Sequence, residues 1–283
     1  MTASSIQIPV GDLTFDAVAD GPADGAPVLL LHGFPESSWA WRHVQPALAA
    51  AGLQTVAPDQ RGYSDGARPV GDEAYAIERL VDDALGMADH LGWDTFHVVG
   101  HDWGGVVAWH LAGRHAARVR SLVAVSTPHP QAFLDAKAAG PQPDGEDQEA
   151  KSSYMDFFRS DGAAEIVVAD DGSFFRAALE GTGLDAESVD HYVSRYSTAE
   201  QAQGLLSWYR GAQPDDGTRV GTVTVPTRYV WSDADAVFGR YAAEHTADHV
   251  SGPYQFDTLA GVSHWVLEEA PDALVPLLLA HLT

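Results

Sequence analysis

Apolar residues along this chain follow two alternating rhythms. Pro27–Leu31, Gln54–Ala57, Phe96–Val99 and Val119–Val125 are nearly unbroken apolar runs of strand length, bounded by turn formers, as expected of strands covered on both faces. Between them apolar positions recur every three to four residues. A helix is predicted from about Glu36 to Ala51, with Gly52 at the left-handed cap position, and another from Glu73 to Leu91 on Ile77, Leu80, Val81, Ala84, Leu85 and Ala88, closed by Gly92. A third begins at Val106 and runs to about Gly113. Residues 5–18 alternate around Pro9-Val10-Gly11-Asp12 as two short strands joined by a turn. Strand and helix in strict alternation predict a mostly parallel sheet with helices on both faces.

The rhythm breaks after Ser126-Thr127-Pro128-His129-Pro130. From about Gln131 to Thr222 the chain carries helical patterns, many aromatics and several Gly and Asp residues, but no parallel-sheet strand. This is the pattern of a helical lid inserted over the C-terminal edge of the sheet, with Gly140–Gln148 expected as a mobile loop. Alternation resumes with a strand at Val225–Trp231, a helix at about Gly239–Ala247, a strand near Tyr254–Leu259 and a final helix Pro271–Leu282. The expected organisation is an α/β core, residues 1–130 and 223–283, with an eight-stranded sheet and a cap at 131–222.

Composition narrows the function without naming it. The 283 residues are 45% apolar and 20% charged, and no apolar run approaches the ~20 residues of a membrane span. The chain has no cysteine and its N-terminus lacks the pattern of a signal peptide, so a cytoplasmic location is expected. The net charge of −24 would repel nucleic-acid phosphates and anionic lipid. Small, neutral or apolar substrates fit better, and the chain is expected as a monomer or homodimer.

Reactive groups in parallel sheets sit on loops leaving the C-terminal strand ends. The first such loop is Val98-Val-Gly-His-Asp-Trp-Gly-Gly105, where glycines surround Asp102 between an apolar strand and a helix. That is the form of a nucleophile elbow, a turn too tight for Cβ atoms beside it. The second loop is Trp231-Ser-Asp-Ala-Asp235, the third Gly261-Val-Ser-His-Trp265. Nucleophile, acid and histidine thus follow in chain order.

These motifs together resemble the α/β-hydrolase family over essentially the full chain, and within it the epoxide hydrolases. His32-Gly-Phe-Pro-Glu-Ser37 resembles their oxyanion loop, Gly100-His-Asp-Trp-Gly-Gly105 their elbow, and Leu206-Ser-Trp-Tyr-Arg210 the lid segment whose tyrosine helps to open the epoxide. Asp59-Gln-Arg-Gly-Tyr63 resembles another family loop, although Ser64 stands where the family has glycine. The resemblance implies Asp102 as nucleophile, His264 as general base, Asp235 as the group that orients it, Tyr209 as the acid at the epoxide oxygen, and the backbone N–H groups of Phe34 and Trp103 as the oxyanion hole. Asp233 competes with Asp235; the family spacing favours Asp235 and leaves Asp233 as a loop cap.

The chemistry agrees with the residue types. A carboxylate is already anionic at neutral pH and displaces a leaving group at an sp³ carbon without a base. The resulting ester needs water activated by a neutral histidine, and donors for the developing oxyanion. No cofactor or metal is required, and the partners expected are a small to medium apolar epoxide and water.

One departure matters. The family carries two lid tyrosines, and the alignment of Phe158–Glu165 puts Phe157 where the first should stand. Tyr154, one helical turn earlier, is the candidate second acid. The alternatives are a haloalkane or haloacid dehalogenase using the same aspartyl ester, with the Trp103 indole as halide donor and Trp208 or Trp265 as its partner, and a non-catalytic binding protein of the same fold. His129, between Pro128 and Pro130, and His101, before the nucleophile, read as structural.

Overall fold

The computed structural model describes residues 3–213 and 219–283. Residues 214–218, part of the expected 131–222 cap, lie outside the described residues. Eight strands form one sheet: β1 (Ser4–Val10), β2 (Leu13–Asp20), β3 (Ala26–Leu31), β4 (Leu53–Pro58), β5 (Phe96–His101), β6 (Val119–Val125), β7 (Thr227–Ser232) and β8 (Tyr254–Leu259). Their order is β1-β2-β4-β3-β5-β6-β7-β8, with β1 and β2 antiparallel and β4 through β8 parallel. The core helices are α1 (Gln45–Ala50), α2 (Ile77–His90) and α3 (Trp103–Arg114).

The strand alternation does what a period of two requires. Val28 and Leu30 of β3 face one side of the sheet, with Val99, Val123 and Val230, while Leu29 and Leu31 face the other, with Val98, Leu122 and Ala124. Both sides are covered, which explains why these strands are apolar throughout.

Between β6 and β7 the described residues form helices and turns: α4 (Pro130–Ala139), α5 (Gln148–Lys151), α6 (Tyr154–Arg159), α7 (Ala163–Leu179), α8 (Ala186–Ser194) and α9 (Ala199–Gly211). α7 is interrupted at Ala169–Gly172, where Asp170, Asp171 and Gly172 take left-handed dihedrals. The buried lid residues Phe175, Tyr192, Leu206, Trp208 and Tyr209 join the same apolar cluster as α2, α3 and β5, so lid and sheet share a core. After β7 come α10 (Arg240–His245), α11 (Val266–Glu269) and α12 (Pro271–Leu282). Among the described residues no helix is long and apolar enough to cross a membrane.

Three expectations are corrected. The helix predicted over 36–51 is a 3₁₀ segment, Ser38–His43, followed by α1. Pro46 gives the reason: in a continuous helix its ring would strike the carbonyl of Arg42. The helix predicted from Glu73 begins at Ile77, because Asp72–Tyr75 form a 3₁₀ turn and Ala76 is extended (ψ 146°). The segment Gly140–Gln148, expected as a mobile loop, is fastened at its end: Gln148 is buried, donates to Val237 O (2.8 Å) and accepts from Gly239 N (2.9 Å). Glu146 Oε2 accepts from Arg240 N (2.6 Å).

Candidate active site

The elbow is built by close approach. A Cβ on Gly100 would lie 2.3 Å from the Gly104 carbonyl oxygen, and one on Gly104 would lie 2.2 Å from that of Leu31. Only glycine lets α3 start this near β3 and β5. The turn leaves Asp102 at φ 48°, ψ −121°, a costly conformation for a side chain and one found where a reactive group is thrust out.

Asp102, His264 and Asp235 converge. His264 Nε2 lies 3.6 Å from Asp102 Oδ2, and His264 Nδ1 lies 3.0 Å from Asp235 Oδ2. The other oxygen of Asp235 accepts the N–H groups of Val237 (2.6 Å) and Phe238 (3.0 Å), which fixes the carboxylate. Asp233 is exposed and caps the neighbouring loop through Gly261 N (2.6 Å). Asp102 Oδ1 accepts the Phe34 N–H at 2.8 Å. Trp103, the first residue of α3, belongs to the turn whose N–H groups have no intrahelical acceptor.

The charges hold one another. Burial alone would raise the Asp102 pKa, but the His264 side chain, His101 and the Phe34 N–H hold it below the ordinary carboxylate value. Burial alone would lower that of His264; Asp235 and Asp102 outweigh it and hold the imidazole well above its ordinary value. Each of the two groups thus favours the charged form of the other.

Behind this pair lies a group that motif reading passed over. His101 is fully buried, and its ring nitrogens face only acceptors: Glu36 Oε2 at 2.9 Å and the His264 carbonyl at 2.9 Å. Two acceptors require two N–H groups, so this ring is an imidazolium. Burial opposes that charge, and Glu36 outweighs burial. Glu36 Oε2 also accepts Gly33 N (2.6 Å), tying the oxyanion loop to the elbow. Its neighbour Glu268 is pushed up to about 8 by burial and by Glu36. Adjacent acidic and basic residues 65 positions apart in sequence give no local signal, which is why they were missed.

The lid brings two tyrosines over Asp102. Tyr209 packs edge-on against Phe34 (centroids 5.2 Å) and Trp103 (5.2 Å), and Tyr154 packs edge-on against Tyr209 (6.3 Å). Both hydroxyls are held protonated, chiefly by burial, and the Asp102 charge adds to the effect. The Arg159 guanidinium on α6 donates to the Tyr209 carbonyl (3.0 Å) on α9, so the helices carrying the two tyrosines are tied together. Phe157 instead packs against Phe158 (5.6 Å) and half-exposed Phe174 (5.1 Å), and lines neither cavity at Asp102.

Those cavities meet at Asp102, Tyr154 and Val237. One, about 60 Å³, runs inward between Trp103, His110, Phe133 and Met155. The other, about 570 Å³, opens outward between Phe34, Phe158, Phe175, Leu179 and Trp265. Two pairs have His-x-x-x-His spacing, and neither converges on a ligand: His97 bonds Ser121 Oγ (2.7 Å) while His101 bonds Glu36 (2.9 Å), and His245 bonds Asp248 (2.8 Å) while His249 stacks on His129 (4.7 Å). His129 caps α4 through Gln131 N, the structural role expected of it.

Comparison with known proteins now places the chain. Residues 26–271 match the model of the alpha/beta hydrolase fold family, and the chain belongs to that family. Relatives named epoxide hydrolases are among those it matches over most of its length. It is 33% identical to epoxide hydrolase A of Mycobacterium tuberculosis, over 94% of this chain and 93% of that one. It is 32% identical to the AB hydrolase superfamily protein YfhM of Bacillus subtilis, over 95% and 94%. Among solved structures, epoxide hydrolase A from Mycobacterium thermoresistibile superposes with a TM-score of 0.84 at 28% identity, covering 99% of this chain and 98% of that one. An epoxide hydrolase from metagenomes of hot environments superposes with a TM-score of 0.88 at 27% identity, covering 100% and 99%.

Proposed function

We propose that the protein hydrolyses a small to medium apolar epoxide to a vicinal diol through an alkyl ester on Asp102. The supporting observation is the placement of the Asp102 carboxylate, with the His264 imidazole 3.6 Å to one side and the Tyr154 and Tyr209 phenols across the cavity. Asp102 attacks an epoxide carbon and the C–O bond opens. The departing oxygen takes hydrogen bonds, and then a proton, from the two tyrosines, whose raised pKa values keep them donors.

Alkylation removes the Asp102 charge that helped to hold His264 protonated. His264 then gives its proton to the tyrosinate left by ring opening and is a neutral base when the ester needs one. It takes a proton from water as the water attacks the ester carbonyl, Asp235 stabilises the imidazolium, and the oxyanion falls to the N–H groups of Phe34 and Trp103. Collapse passes the remaining water proton to the departing oxygen and releases the diol, leaving the Asp102 carboxylate beside the protonated His264 as at the start. On this reading residues 131–222 are a cap that supplies the acids, and residues 1–130 and 223–283 are the core that supplies the nucleophile and base.

The carbon–halogen reading lacks a second halide donor: the two candidates for it, the Trp208 and Trp265 indoles, donate instead to Arg61 O (2.7 Å) and Thr182 Oγ1 (2.8 Å). The test is the intact mass of His264→Gln after incubation with styrene oxide and, separately, 1-bromobutane. An adduct of the whole epoxide mass mapped to Asp102 is expected. A butyl adduct alone would assign a dehalogenase, and no adduct with a panel of epoxides would remove the reading.

A further inference from the structure

The end of β6 supplies no reacting group, yet it touches the main chain of both residues that react. Ser126 Oγ donates to the His264 carbonyl (3.2 Å), and Thr127 Oγ1 donates to the Asp102 carbonyl (2.7 Å). Both side chains are buried. They are themselves held: Ser126 N–H donates to Val230 O (2.8 Å), the Ser126 carbonyl accepts from Tyr229 Oη (2.8 Å), and the Thr127 carbonyl accepts from Trp109 Nε1 (3.0 Å).

Topology makes this contact consequential. Asp102 follows β5 and His264 follows β8, and β6 and β7 lie between them in the sheet. Among the described residues no strand ladder directly joins the elbow to the histidine loop. Ser126 and Thr127, on consecutive positions, span that gap. The backbone at Ser126 has φ +62°, where a side chain is strained and glycine is not. A strained residue whose hydroxyl meets the base's main chain points to a role for that hydroxyl.

We propose that Ser126 and Thr127 are positioning residues, a bracket at the end of β6 that sets His264 against Asp102. The inference rests on the aspartyl-ester reading, in which alkylation needs Asp102 aimed and ester hydrolysis needs His264 aimed. Ser126→Gly removes the hydroxyl and relieves the backbone, so it should fold at least as stably as the parent. Thr127→Val keeps the shape and drops the other hydroxyl.

Rapid-quench mass spectrometry with styrene oxide separates the two steps. For Ser126→Gly the expected result is alkylation at the parent rate, ester decay slowed about tenfold, and ester accumulating in the steady state. For Thr127→Val alkylation should slow. Ser126→Asn, a residue that tolerates positive φ and carries an N–H donor, should return most of the decay rate. If Ser126→Gly keeps both rates, or slows both equally with a lower melting temperature, the bracket is overturned. His264→Gln is the control. An ester trapped there but not in Ser126→Gly sinks the bracket alone, and no ester in His264→Gln sinks the mechanism and the bracket together.

Discussion

The sheet edge and the helical insertion hold their candidate reactive groups by different means. Asp102, Asp235 and His264 stand on strand-end loops and are fixed by directed hydrogen bonds, to Phe34 N, to Val237 and Phe238 N, and from His101 and Ser126 onto the His264 carbonyl. Tyr154 and Tyr209 come from helices and are placed by aromatic faces: Phe34, Trp103 and Phe158 surround the Tyr209 ring within 5.2 Å. Hydrogen bonds fix distance and angle, whereas ring packing fixes position and leaves the hydroxyl free to turn. A nucleophile and a base need the first kind of support. An acid that must follow an oxygen as the ring opens is served by the second.

The largest expected effect separates the two regions directly. Tyr154→Phe and Tyr209→Phe leave the sheet edge untouched and remove the proposed acids, so each should slow alkylation by about 10²-fold while sparing ester decay. The double variant should lose less than the product of the two, because the rings are neighbours (centroids 6.3 Å) and both serve the same oxygen. Single-turnover rates decide it. A double variant that alkylates at the parent rate would move epoxide opening away from the lid.

A smaller effect probes the charges beneath the sheet edge. Glu268 faces Glu36, His101, Arg42 and Tyr192, and its pKa is pushed up to about 8 from the ordinary carboxyl value, chiefly by burial and then by Glu36. A carboxyl raised by folding binds its proton more tightly in the folded state. Its contribution is therefore whole below the ordinary carboxylate pKa and is lost as pH climbs toward 8. Glu268→Gln keeps a partner for Tyr192 and removes that loss. Its melting temperature should match the parent near pH 4.5 and exceed it by about 4 °C at pH 9. Equal temperatures across the range would show that Glu268 is already ionised in the folded protein.

The same division explains what could be read in the sequence. Asp102 was legible because close packing demands Gly100, Gly104 and Gly105 around it, and His264 because it follows the last strand. The apolar runs yielded β3 to β7 for a similar reason: burial on both faces leaves a local record. The contact of His101 with Glu36 joins residues 65 apart, and that of Ser126 with His264 joins residues 138 apart. Each needs the sheet order before it can be seen. The break in the helix at Arg42–Pro46 was legible in principle, since Pro46 stands in the sequence, and the apolar period outweighed it.

The smallest expected effect concerns Phe157, where family spacing and the folded lid disagree. α6 begins at Tyr154, after Ser152 and Ser153, so its first residue meets the cavity, and Phe157 turns outward against Phe158 and Phe174. A hydroxyl added there has no path to Asp102. Phe157→Tyr should change kcat/KM for styrene oxide by less than about twofold, and in the Tyr154→Phe background it should restore nothing. Restoration would mean that α6 rotates to present either position, and the lid would then place its acids by sliding helices rather than by a fixed aromatic packing. A null result would leave the first acid at the start of α6, where the break at Ser152-Ser153 sets the register that the tyrosine needs.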